Sequence, residues 1–140
     1  MAEQILIDTG PIVAVLIAKD RYHYWAREQF SLLPPPLMTC EAVLSEAQFL
    51  VHNFGGASVT VLEMVEKGVL KLTFGVAAEL DRLRKLQQTY RNVPMSLADA
   101  CLVRMAELHP RSRVFTIDSD FRIYRRHGRQ VIPVLMPPMR

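Results

Sequence analysis

The sequence predicts an α/β fold in which a parallel sheet is covered by helices. Three observations predict it. Short apolar runs rich in β-branched residues (4–7, 69–74, 113–117 and 131–135) alternate with longer stretches of helical periodicity. Half the residues are hydrophobic but only 8% are aromatic, which suits helices packed on a sheet better than a β-sandwich. The 140 residues can bury one sizeable core but not two, so residues 1–140 are read as a single domain.

The elements follow in order. Residues 4–7 are an apolar run that stops at Asp8, as a buried strand does. Thr9-Gly10-Pro11 then opens a helix toward Asp20, with threonine before the first turn and proline early in it. A second helix over 22–33 ends at three prolines, and residues 37–39 are extended. Thr39 is placed to cap a helix over 40–52, with Val43, Ala47 and Leu50 on one face. After a break at 53–56, a helix over 57–67 stops at Gly68. Residues 69–74 read as a strand. Residues 76–90 form an amphipathic helix, because Leu80, Leu83, Leu86 and Tyr90 recur at helical spacing among polar residues. Ser96 caps a helix that runs to His109 and is closed by Pro110. A strand over 113–117 ends at Asp118, and residues 121–126 read as a short helix before a His127-Gly128 turn. The last strand, 131–135, contains Pro133 and so belongs at a sheet edge, because proline cannot donate to a ladder.

Charge is unevenly placed along the chain. Residues 101–140 carry eight arginines against three acids, whereas the first hundred carry nine basic and eleven acidic side chains. A basic C-terminal third is compatible with a polyanionic partner, although from charge alone a solvated surface is the preferred reading. Cys40 and Cys101 each sit in an apolar helical pattern and read as buried free thiols remote from any chemistry, as expected in a reducing cytoplasm. Most methionines are expected in the core. No cysteine or histidine spacing suggests zinc. The N-terminal apolar stretch is broken by Asp8 and Pro11, so it reads as neither a signal peptide nor a membrane span.

The acids carry the chemistry. Asp8 and Asp118 each follow an apolar strand, and ligands of parallel sheets bind at the carboxyl ends of strands. Glu46 lies within an otherwise apolar helix, and Asp99 in the first turn of another. Asp120 follows two residues after Asp118. Each has an ordinary reading alone: a helix cap for Asp8, a capping box for Ser96-x-x-Asp99, a solvated face for Glu46, a turn for Asp118 and Asp120. Several carboxylates brought together would repel one another, and a hard divalent cation removes that repulsion. Clustered acids without clustered histidine or cysteine therefore point to Mg²⁺ or Mn²⁺ and phosphodiester chemistry. Asp8 and Asp99 are read as the principal ligands, with Glu46 and Asp118 holding waters or a second ion.

Four segments in this order, Ile5-Leu6-Ile7-Asp8-Thr9-Gly10-Pro11, Ser45-Glu46-Ala47, Ser96-Leu97-Ala98-Asp99-Ala100 and the run from Val114 to Phe121, resemble the PIN-domain nucleases, specifically the VapC-like toxins of toxin–antitoxin pairs. The resemblance spans nearly the whole chain. It implies a three-layer α/β/α sandwich around a parallel sheet and Mg²⁺- or Mn²⁺-dependent cleavage of RNA. Asp8, Glu46, Asp99 and Asp118 match the family's acidic quartet, and Asp120 an additional acid that some members carry. Thr9 and Thr116 match hydroxyl positions that orient metal or water. The resemblance also implies a homodimer held inactive by a small antitoxin. Glu41 competes with Glu46 for the helix position; Glu46 is preferred because it follows Leu44-Ser45 in mid-helix.

Two other readings compete. Leu6-Ile7-Asp8-Thr9-Gly10 is also how an aspartic protease presents its catalytic acid, but that fold is all-β and leaves the other acids unexplained. A non-catalytic RNA-binding or scaffolding domain on the same fold would use Arg122, Arg125, Arg126 and Arg129 to hold phosphates. Under the nuclease reading, one or two of those arginines are expected at the rim of the acidic pocket.

Overall fold

A computed structural model describes residues 3–138. Its elements are β1 (Gln4–Ile7), α1 (Thr9–Leu16), α2 (His23–Leu32), β2 (Leu37–Thr39), α3 (Glu41–Leu50), α4 (Ala57–Glu66), β3 (Leu70–Leu72), α5 (Leu80–Thr89), α6 (Leu97–Leu108), β4 (Ser112–Phe115), β5 (Arg125–Arg126), β6 (Gln130–Val131) and β7 (Val134–Leu135). Short 3₁₀ turns at Val76–Glu79 and Ser119–Arg122 precede α5 and β5. Five strands form one parallel sheet in the order β3-β2-β1-β4-β7. In β1, consecutive residues Ile5, Leu6 and Ile7 are all buried, so both faces of the sheet are covered. Helices flank it, giving the α/β/α sandwich: α6 packs on β1 and β4, and Trp25 and Phe30 of α2 pack on Phe115 of β4. This architecture excludes the all-β protease reading.

Register places the functional edge. β1 pairs with β4 so that Ile7 lies opposite Phe115. The next residues, Asp8 and Thr116, therefore leave the sheet side by side at its carboxyl end. Asp8 then acts as the N-cap of α1 by accepting from the Thr9 amide at 2.8 Å. Gly10 matters here because a Cβ at that position would lie 3.3 Å from Ile117 Cβ. The missing side chain lets the start of α1 approach the segment that follows β4.

Several elements differ from the sequence expectation. The first helix stops at Leu16, short of Asp20. Thr39 does not cap α3; Cys40 holds the cap position without a side-chain bond, and Thr39 donates its hydroxyl to the Ile7 carbonyl at 2.9 Å. That bond clamps β2 to the end of β1 just before Asp8. Only Leu70–Leu72 of the expected third strand joins the sheet. Residues 125–126 are not helical; they pair antiparallel with β6 in a hairpin that turns through His127 and Gly128, both at positive φ. The expected final strand divides between this hairpin and β7, and Pro133 lies between the two pieces. β7 is at the sheet edge, as the proline requires.

A buried carboxylate ties the hairpin down. The Glu107 side chain is 1% exposed and accepts from Arg82 of α5, from Arg104 and from the His127 amide. Burial pushes its pKa up, but the hydrogen bonds and charge of Arg82, with help from His127 and Arg104, outweigh that and lower it to about 2.

Candidate active site

Asp8, Glu46, Asp99 and Asp118 line one cleft of about 380 Å³, whose walls also include Gly10, Ser96 and Ile117. Each acid arrives from a different element. Asp8 ends β1, Glu46 projects from α3, Asp99 lies in the first turn of α6, and Asp118 follows β4. Asp8 and Asp99 are buried, whereas Glu46 and Asp118 are exposed. Glu46, although it lies within an otherwise apolar helix, is exposed where it lines the cleft. Asp120 does not line the cleft; its amide donates to Asp118 Oδ1 at 2.9 Å.

Every cleft acid is held by a named donor. Thr116 Oγ1 donates to Asp8 Oδ2 at 2.7 Å and itself accepts from the Asp118 amide at 2.9 Å. Thr9 Oγ1 donates to Glu46 Oε2 at 3.1 Å. The Ser96 amide and the Tyr124 hydroxyl approach Asp99 Oδ2 at 3.2 and 3.3 Å, and Ser96 Oγ accepts from the Asp99 amide. Asp99 thus completes the capping box while facing the cleft, so the structural and functional readings of Ser96-x-x-Asp99 hold together. Among the described residues, Glu46 Oε1, Asp99 Oδ1 and Asp118 Oδ2 have no protein donor and remain available to a ligand.

Burial first, and mutual repulsion second, disfavour the charged forms of the two buried acids. Burial raises the Asp8 pKa to about 7; the Thr116 and Thr9 hydrogen bonds oppose this, and the charges of Asp99 and Asp118 add to it. Burial likewise raises Asp99, with Asp118 and Glu46 contributing. A cation among these groups would relieve that repulsion. The donor set is all oxygen, which fits a hard divalent ion. Among the described residues no three acidic, histidine or cysteine side chains are drawn into a ready-made cage. A hydrated Mg²⁺ needs none, because it takes one or two carboxylates directly and keeps several waters.

Tyr124 is the residue that sequence reasoning missed. It is fully buried and stands in T-shaped contact with Tyr90 and Phe121. Its burial inside a run of arginines was the available signal: Phe121 and Tyr124 share the three-residue spacing of one turn. The arginines do not reach the cleft, since none lines it. Arg125 donates to the carbonyls of Arg122, Ile123 and Tyr124, and Arg126 to those of Ala106 and Pro110. Arg122 and Arg129 are exposed.

Cys40 and Cys101 are buried free thiols, as expected, but they are not remote. Each thiol influences the ionisation of the other, and the Asp8 charge acts on Cys40. Met38 and Met105 are buried, Met64, Met95 and Met136 are half-buried, and Met1 and Met139 lie outside the described residues.

No protein-family model matches the chain. It is 25% identical over 132 residues to Ribonuclease VapC26 of Mycobacterium tuberculosis, covering 93% of each protein. Its fold matches that of Mycobacterium tuberculosis VapC20, a sarcin–ricin loop cleaving toxin, with a TM-score of 0.75 at 21% identity over 84% of this chain and 92% of that one. FitAcB of Neisseria gonorrhoeae matches with a TM-score of 0.53 at 19% identity, over 83% of this chain and 88% of that one. The chain is thus similar in sequence, over nearly its whole length, to a VapC ribonuclease, and it shares its α/β/α fold with a VapC toxin.

Proposed function

We propose that this chain is a metal-dependent endoribonuclease, the toxin component of a toxin–antitoxin pair. The observation that carries the reading is the meeting of Asp8, Glu46, Asp99 and Asp118 in one cleft at the carboxyl edge of the sheet. Full-length similarity to a ribonuclease supports RNA as the substrate class. The catalytic residues are Asp8, Glu46, Asp99 and Asp118. Asp120, outside the cleft, acts through its amide on Asp118.

Asp8 and Asp99 are the principal holders of a Mg²⁺ or Mn²⁺ ion, with Glu46 and Asp118 on its waters or on a second ion. A divalent cation supplies polarisation of a phosphoryl oxygen and a lowered pKa for a neighbouring water. The protein's own part is orientation. Thr116 fixes Asp8 and the Asp118 backbone together, and Thr9 draws Glu46 toward the cleft. Of the basic segment, Arg122 is the residue proposed to meet RNA phosphates, because it is exposed four residues after Asp118.

Protein partners are part of the proposal: a small antitoxin and a second copy of the chain. Phe49, Leu50, Phe54, Val59 and Leu62, on α3, α4 and the turn between them, are exposed and supply apolar surface for such contacts. No helix among the described residues is long and apolar enough to cross a membrane. We place the protein in the cytoplasm, with residues 1–140 acting as one nuclease domain.

The test is cleavage of total RNA with Mg²⁺, Mn²⁺ or EDTA, followed by mapping of the cut ends. Wild type is expected to cut with either cation and not with EDTA. Asp8→Asn is expected to lose nearly all cleavage and most of the rise in melting temperature that Mg²⁺ produces by binding the native state. The exposed Glu66→Gln is the control that keeps both. Undiminished cleavage by Asp8→Asn would overturn the carboxylate–metal reading.

A further inference from the structure

Ile117 separates two clefts. On one side is the acidic cleft; on the other is a larger one of about 820 Å³, lined by Arg21, Tyr22, Trp25, Ser119 and Met136 among others. Asp118 faces the first cleft and its neighbour Ser119 the second. We propose that the second cleft is a nucleotide subsite, in which a base of the RNA beside the scissile phosphate stacks on Trp25 and Tyr22 while Arg21 holds the adjoining phosphate. The proposal rests on the ribonuclease reading above and names where its substrate lies.

Four features of the cleft favour a nucleotide. Its volume falls within the roughly 300–1,000 Å³ of small-molecule sites. It combines aromatic rings with a cation, the pairing that binds single-stranded nucleic acid without reading its sequence. The Arg21 guanidinium lies 5.2 Å over the Tyr22 ring, which holds an otherwise exposed side chain over the cleft. Trp25 is half-buried and braced by its T-shaped contact with Phe115, 5.4 Å between centroids, so the indole is a fixed platform. The acidic cleft has no basic side chain of its own, and Arg21 is the one arginine or lysine lining either cleft among the described residues. A polyanion presented to four carboxylates needs a cationic anchor beside them, and Arg21 is where the fold provides it.

Trp25 is the only tryptophan in the chain, so its fluorescence reports on this cleft alone. The experiment titrates the full-length Asp8→Asn variant, in Mg²⁺, with a short fluorescein-labelled single-stranded RNA followed by anisotropy, and with the unlabelled RNA followed by tryptophan emission. Saturable quenching that tracks the anisotropy is expected. An abasic oligonucleotide of the same length should bind without quenching. Adding Arg21→Gln should weaken RNA binding about five- to tenfold and lower the salt slope by about one. Trp25→Phe, which keeps a ring against Phe115, should weaken binding of the RNA but not of the abasic strand. Absence of RNA binding, binding without quenching, or an unchanged Arg21→Gln affinity would each overturn the subsite. If wild type cuts RNA while quenching is absent, the subsite fails and the ribonuclease reading stands. If quenching is seen but wild type cuts no RNA, the subsite stands and the ribonuclease reading fails.

Discussion

Thr116, which directly follows β4, donates a 2.7 Å hydrogen bond to Asp8, more than a hundred residues away in sequence. The same hydroxyl accepts from the Asp118 amide. One buried oxygen thus sets the positions of two of the four cleft acids. Thr116→Val keeps the shape but leaves the Asp118 amide and Asp8 Oδ2 without this partner. Loss of such a supporting group typically costs about 10–100-fold in metal affinity or activity. Thr116→Ser retains the hydroxyl and should recover most of that loss. Mn²⁺ titration and cleavage rates for the two variants check this; equal defects would mean that the methyl group, not the hydroxyl, matters.

Asp8 makes the metal-free protein sensitive to pH. Its pKa rises from 3.8 to about 7 on folding, so the native state holds a proton that the unfolded chain has released between those values. Native-state stability therefore falls as pH rises from about 4 to about 7 and levels off beyond. Asp8→Asn should flatten that slope, leaving the part that Asp99 contributes, and raise the melting temperature of the metal-free protein at pH 8. Melting curves in EDTA across this range measure it. A wild-type curve that gains stability over the same interval would contradict the assigned burial.

Tyr124 orients Asp99. Its hydroxyl is 3.3 Å from Asp99 Oδ2 and 3.2 Å from the Pro94 carbonyl. Tyr124→Phe keeps the ring against Tyr90 and Phe121 and removes only those bonds. The metal-free protein should lose about 1 kcal/mol, whereas Mn²⁺ affinity should fall by about tenfold. Chemical denaturation in EDTA and calorimetric Mn²⁺ titration separate the two. Unchanged Mn²⁺ binding would reduce Tyr124 to a packing residue.

Glu107 is a structural carboxylate outside the cleft. Glu107→Ala leaves Arg82, Arg104 and the His127 amide without their shared acceptor. Breaking a buried pair costs about 3 kcal/mol, reduced here because Arg82 is 31% exposed. Because its folded pKa is depressed from 4.5 to about 2, the contribution is present above pH 4.5 and lost as pH falls toward 2. Urea unfolding at pH 7 and pH 3 should give a smaller difference between wild type and variant at the lower pH.

Sequence alone determined what local chemistry controls. The apolar run before Asp8 could only be a buried strand, and periodicity marked α5 and α6 because the 3.6-residue repeat is written in neighbouring side chains. The Ser96-x-x-Asp99 cap was legible because its partners are three residues apart. Composition, with acids but no paired histidine or cysteine, pointed to a hard cation. Tertiary structure decided what depends on long-range register. Glu46 and Glu41 were nearly equal candidates along α3, and Glu46 is the one that the Thr9 hydroxyl reaches. Arg125 and Arg126 read as phosphate binders, yet the turn at His127 and Gly128 sends their guanidinium groups onto backbone carbonyls. Tyr124 meets Asp99 across 25 residues, and no local pattern encodes that meeting. A hydrogen bond between distant residues is set by how strands pair and helices pack, and the energy that fixes those is spread over the whole core.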